Sequence, residues 1–320
     1  MSDRALKVIV KVLGGLVVLW GIAFLIGRGG SDAGSQEGSG AMAAFFDDIS
    51  AGDIRAMVLS GPSLDEPVRL ERLQTDWSVN GHPADSGFVA RFLSELEGAE
   101  VGDIFSTNSA NHSRMGVSAD SAVVVVIEAA GSTDTLFLGS PGPGFGAVFA
   151  RIPGEDEVRL VSGDLRSPAR RTLDQWRSKR ILALDTASIQ SIEVERDGES
   201  FELVRSDAGW SVDGESADSA TVALLLGELR SLQASSFAED QTVFEGDPDR
   251  TVLIRGSDGA PIATVRLWNP PEGATGNLSA RTEGQVSEAG AGYSVASWRA
   301  DRLAPERSRI LPPDDEGGSG

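Results

Sequence analysis

The sequence predicts an α+β protein: an N-terminal transmembrane helix, then two tandem repeats, each mainly antiparallel β-sheet with a packed amphipathic helix. Three observations carry that reading. The stretch DWSVNGHPAD, Asp76 to Asp85, returns as GWSVDGESAD, Gly209 to Asp218. Each copy is set among alternating apolar runs that read as strands and is followed by a run of helical periodicity. One long apolar segment, Val8 to Ile26, precedes both.

Each repeat opens on a strand, marked by Ile54, Met57 and Leu59 in the first copy and by Ile189, Ile192 and Val194 in the second. A turn follows, SGPSLDEP (Ser60 to Pro67) or ERDGES (Glu195 to Ser200), in which Asp197-Gly198 suits a hairpin. The next strand is VRLERL or FELVR, and the repeated phrase supplies a third, with Trp77 and Val79 or Trp210 and Val212 facing inward. Asn80-Gly81 and Asp213-Gly214 then turn the chain, and Asp85 and Asp218 stand where a carboxylate caps a helix. Phe88, Val89, Phe92, Leu93 and Leu96 form the apolar face of the first helix; Val222, Leu225, Leu226, Leu229 and Leu232 form that of the second.

β signals continue in AVVVVIEA, TLFLG, AVFARI and EVRLVSG of the first copy, and in TVLIRG, ATVRLWN, NLSARTE and GYSVASW of the second. The copies end in LDQWRSKRIL and LAPERSRIL, each read as a short helix and an exit strand. The expected domains are a cytoplasmic tip and anchor at 1–28, a flexible Gly/Ser linker at 29–44, a first repeat at 45–185, a second at 186–313 and a disordered tail at 314–320.

As a helix, Val8 to Ile26 spans roughly 28 Å, close to the ~30 Å hydrocarbon core. Arg4, Lys7 and Lys11 lie at its start and only Arg28 follows it closely, so the positive-inside rule places the N-terminus in the cytoplasm and the body outside it. The alternative is a cleaved signal peptide, suggested by the small-x-small triplet Ala41 to Ala43. That triplet lies too far beyond Ile26 for the peptidase, which favours a retained anchor.

A formal charge of -20 repels polyanions, so no nucleic-acid partner is expected. The absence of cysteine excludes disulfides, thiol catalysis and thiolate metal sites. With only His82 and His112, both placed in surface loops, neither a metal centre nor a catalytic triad has material. GSPGPGFG, Gly139 to Gly146, has the glycines of a phosphate-cradling loop but not the following Lys-Ser/Thr and helix, and reads as a long hairpin loop. The acidic groups at Gly154 to Glu157 and Asp247 to Arg250 lack calcium-loop spacing and read as turns. No catalytic, cofactor or metal residue is therefore assigned. The one locally basic stretch supplies possible partner contacts at Arg166, Arg170, Arg171, Arg177, Lys179 and Arg180; the plainer reading is a connector helix whose arginines pair with surplus carboxylates.

Five stretches resemble a bacterial family known as domain of unknown function 4340: WSVNGHPAD, MGVSADSAVVVVI, LFLGSPGPGFGAVFARIPGEDEVRLV, QWRSKRIL and IQSIEVERDGESFELVRSDAGWSVDG. The resemblance covers roughly residues 50 to 240. It implies a single-span envelope protein, often encoded beside an ABC-type transport system of the gliding-motility kind, and it implies no catalytic residue; the expected location is the bacterial inner membrane with the body periplasmic. The expected function is a non-catalytic structural or adaptor subunit, with ABC-transporter subunits as possible partners and no cofactor. The alternative is a periplasmic module that binds an envelope lipid or polymer in the groove between the repeats.

Overall fold

The computed structural model describes residues 40–47, 49–129, 131–144, 146–238, 240–271 and 275–311. The expected anchor at Val8 to Ile26, most of the linker and the tail lie outside them. Among the described residues, no helix is long and apolar enough to cross a membrane. The chain forms two compact units, Met1–Arg177 and Ser178–Gly320, each with its own core.

The first unit begins with α1 (Ala41–Asp47), which straddles the expected boundary between linker and first repeat at 44/45. α1 turns Met42, on the linker side of that boundary, into the first core together with Phe45 and Phe46. The strands are β1 (Ile54–Ser60), β2 (Val68–Arg72), β3 (Trp77–Val79), β4 (His82–Pro83), β5 (Val101–Ser106), β6 (Val123–Ala129), β7 (Ser132–Pro141), β8 (Val148–Arg151) and β9 (Val158–Val161). They form one nine-stranded antiparallel sheet in the order β4-β3-β2-β1-β6-β7-β8-β9-β5.

Helix α2 (Ser86–Glu97) follows β4 and packs Val89, Phe92, Leu93 and Leu96 into the core that holds Met57, Leu59, Leu70 and Leu138. Those positions recur at helical spacing and so share one face. Asp85 caps the helix, accepting from the backbone N–H groups of Gly87 (3.0 Å) and Phe88 (3.1 Å). Its own backbone N–H donates to the Trp176 carbonyl at 2.8 Å, which fastens the end of the unit to the start of α2. The short helices α3 (His112–Met115), α4 (Arg166–Ala169) and α5 (Leu173–Trp176) complete the unit, and the Trp176 ring is fully buried 5.9 Å from Phe92.

The second unit repeats this plan. Its strands are β10 (Arg180–Leu182), β11 (Ile189–Arg196), β12 (Glu199–Ser206), β13 (Gly209–Val212), β14 (Glu215–Ser216), β15 (Leu232–Gln233), β16 (Ser236–Phe237), β17 (Arg250–Gly256), β18 (Pro261–Trp268), β19 (Leu278–Gly284) and β20 (Tyr293–Val295). Nine of them pair as β14-β13-β12-β11-β17-β18-β19-β20-β16, strand for strand the order of the first sheet. Its helices are α6 (Ser219–Arg230), α7 (Ser297–Leu303) and α8 (Arg307–Ile310). Asp218 caps α6 through the Thr221 N–H at 2.7 Å, and its own N–H donates to Ile310 at 2.7 Å.

Several expectations need correction. The basic connector is two four-residue helices, α4 and α5, rather than one helix. Strand β10, assigned to the end of the first repeat, pairs with β15 within the second unit. In the second copy's closing RIL, Arg309 and Ile310 belong to α8 with Leu311 just beyond it, and Ile310 takes the place of Trp176 rather than of Ile181. Leu232 lies beyond α6, in β15. His112 is no surface residue: it starts α3, is 9% exposed, and donates from Nε2 to the Asp156 carbonyl at 3.0 Å.

Candidate functional site

Two stretches that the sequence presents separately, the glycine-rich hairpin and the basic run, meet on the first unit. Strand β7 continues to Pro141 and β8 begins at Val148, with Gly142 N–H donating to the Ala147 carbonyl at 2.8 Å to close a tight loop. At its root, Gly139 is required by close approach: a Cβ there would lie 2.3 Å from the Met115 carbonyl oxygen. That approach leaves the Gly139 carbonyl turned to Arg166, whose Nε donates to it at 2.5 Å. The chain leaving β9 thus lays α4 beside the loop. Between them runs an open groove of about 500 Å³, lined by Gly144, Gly146, Gly163, Arg166, Ser167 and Arg170, among others.

Arg170 donates from Nε to Ser63 Oγ at 3.2 Å, so each arginine is tethered through Nε to a neutral oxygen. Neither forms an ion pair among the described residues, although Asp164 also lines the groove. Burial, and after it the neighbouring Arg170 guanidinium, pulls Arg166 below the usual arginine range. The groove therefore presents two arginines on an acidic molecule, with Asp164 on its lining but no ion pair to either among the described residues.

The other basic residues do not join them. Arg171 stacks on the Phe88 ring, 4.2 Å from its centroid. Arg177 lies 3.6 Å from Asp174, the pairing that the plainer reading expected. Lys179 and Arg180 belong to the second unit, where Lys179 Nζ donates to the Ser235 carbonyl at 2.8 Å and Arg180 pairs with Gln233 across β10 and β15.

The second unit disposes of its cations differently. Its groove, of about 350 Å³, is lined by Arg196, Glu306 and Arg307, among others. There Arg196 meets Asp197 (3.2 Å), Asp301 (3.4 Å) and Glu306 (3.5 Å), and Arg307 meets Asp213. On α6, Glu228 is 5% exposed and accepts from Arg299 at 2.8 Å, with Arg302 at 3.8 Å. Its counterpart on α2, Glu95, accepts instead from the backbone N–H of Asp164 at 3.2 Å. The acidic groups at Gly154 to Glu157 and Asp247 to Arg250 have structural partners: Arg151 and His112 donate to carbonyls of the first, and Arg250 meets Asp301 at 2.8 Å. Among the described residues, no group of three or more His, Asp and Glu side chains could hold a metal ion.

Sequence reasoning missed the convergence because β8, β9 and their turns separate the loop from α4. The available signal was topological: a hairpin and the next strand of one meander place their ends side by side. No curated protein and no solved structure matches the chain significantly. The sequence profile described as Domain of unknown function (DUF4340) matches residues 77–250, from the Trp of the first repeated phrase to the first residue of β17. That span holds the first copy of the phrase from Trp77 on, the whole second copy, the groove and the chain boundary at Arg177/Ser178, and the chain belongs to this family of domain of unknown function proteins.

Proposed function

We propose that the protein is a non-catalytic, membrane-anchored extracytoplasmic subunit that serves as a structural or adaptor part of an ABC-type envelope transport system. The observation that carries the reading is the use to which the second unit puts its charged groups. The deeply buried Glu228 is engaged by Arg299, and Asp301 is shared between Arg196 and Arg250. Asp218 and Asp240 cap helical turns through Thr221 and Thr242, which holds both carboxyls below the usual range. Carboxylates kept ionised in this way serve a scaffold, whereas a general acid at neutral pH needs its pKa raised. The anchor at Val8 to Ile26 and the short Gly/Ser stretch after it support a body held close to the bilayer. The transporter partner rests on the family resemblance.

Affinity capture of the full-length chain from its native membranes in mild detergent, with and without Val8 to Ile26, tests this reading by mass spectrometry. Stoichiometric recovery of ABC-transporter subunits with the anchored form is expected. Recovery of the protein alone, carrying lipid or glycan, would contradict the adaptor role and favour the binding-module alternative.

A further inference from the structure

The groove on the first unit has an internal comparison in the second. After β20, α7 brings Arg299 and Arg302 to Glu228, so that the cations at that end of the sheet are neutralised. After β9, α4 brings Arg166 and Arg170 to the glycine loop, while Glu95 is occupied by the Asp164 N–H. One architecture thus carries an arginine pair bound to an acid in one copy and, in the other, a pair that makes no ion pair among the described residues although Asp164 lines the same groove.

We propose that this groove binds a phosphate group, with the guanidinium groups of Arg166 and Arg170 as its charged donors. Both arginines spend Nε on neutral oxygens, at Gly139 and Ser63, which holds their planes and leaves the terminal amino groups for a ligand. A carboxylate saturates one guanidinium fork. A phosphate monoester carries close to two negative charges and three acceptor oxygens, which matches two adjacent forks. Gly144 and Gly146 add no side chains where they line the groove, beside Pro141, Ala147 and Val148. The ligand is small or is one headgroup, because the surrounding charge of -20 repels an extended polyanion. The shared chemistry has two possible sources, a lipid headgroup and a soluble phosphate ester. The site does not depend on the adaptor reading.

The test uses the full-length protein in phosphatidylcholine nanodiscs. Titration with glycerol 3-phosphate is followed by calorimetry, and nanodiscs doped with phosphatidic acid are compared with undoped ones by exchange of a fluorescent phosphatidic acid. Arg166→Gln and Arg170→Gln are compared with Arg255→Gln, which removes the same charge from a half-buried ion pair of the second unit. Arg170→Gln keeps the test alive should Arg166→Gln fail to fold, since Arg170 is tied only to an exposed serine. The expected result is saturable binding that weakens by about tenfold or more in each groove variant and stays unchanged in Arg255→Gln. Binding of both probes, or of either alone, supports the proposal and identifies the source. Absence of saturable binding, equal loss in all three variants, or equal affinity for acetate overturns it.

Discussion

Asp85 and Asp218 perform the same task at the two helix starts, and the Asp218 carboxyl is pulled below the usual range, first by the Thr221 side chain and then by backbone N–H groups. A carboxylate whose folded-state pKa lies below its unfolded one stabilises the fold fully above the unfolded value, about 3.9, and loses that contribution as pH falls through the folded value. Asp218→Asn keeps an oxygen that can cap α6 but does not ionise. Its denaturant midpoint is therefore expected below that of the native chain at pH 7, with the gap closing as pH is lowered toward 3. A gap that stays constant across that range would show that ionisation of Asp218 adds nothing to the cap. At the same scale, Asn80 and Asp213 hold positive φ values of 47° and 52°, which explains why the repeated phrase carries Asn-Gly or Asp-Gly after its strand.

At the scale of elements, the two copies differ most where α2 and α6 meet the chain that follows the sheet. Glu228→Ala leaves the partly exposed Arg299 without its partner and is expected to destabilise the second unit by roughly 1–3 kcal/mol. Glu95→Ala removes only an acceptor for one exposed N–H and is expected to cost the first unit under about 1 kcal/mol. Chemical denaturation of the two variants measures both; equal losses would refute the asymmetry on which the open groove rests. Much of each element was legible. Ile54, Met57 and Leu59, like Ile189, Ile192 and Val194, break strict alternation after the first residue, and in both strands a register shift falls there, keeping all six side chains inside. Strand β5 was not legible: Val101–Ser106 exposes Ile104 and Phe105 and is interrupted by Gly102 and Asp103, and its pairing with distant β9 makes it a strand. The burial of His112 and the meeting of Arg166 with Gly139 failed to show for the same reason, since each depends on a contact between residues remote in sequence.

For the whole molecule, the repeated phrase proved to be the visible part of a longer duplication. The nine-strand order, the capped helix after the fourth strand and the bond from the capping residue to the closing helix all occur twice. Such a unit closes its core without help: Trp176 and Phe92 lie inside the first, Tyr293 and Leu225 inside the second, and each cluster draws its residues from one unit alone. Duplication of this kind lets one copy keep the neutralised, purely structural arrangement while the other changes, and here the first copy carries the open arginine groove. The direct measurement is the unfolding of 40–177 and 178–311, expressed separately and followed by circular dichroism and tryptophan fluorescence in denaturant. Each fragment is expected to show β-rich structure and one cooperative transition with coincident probes. A fragment that remains unfolded until the other is added would contradict the account of two self-sufficient copies.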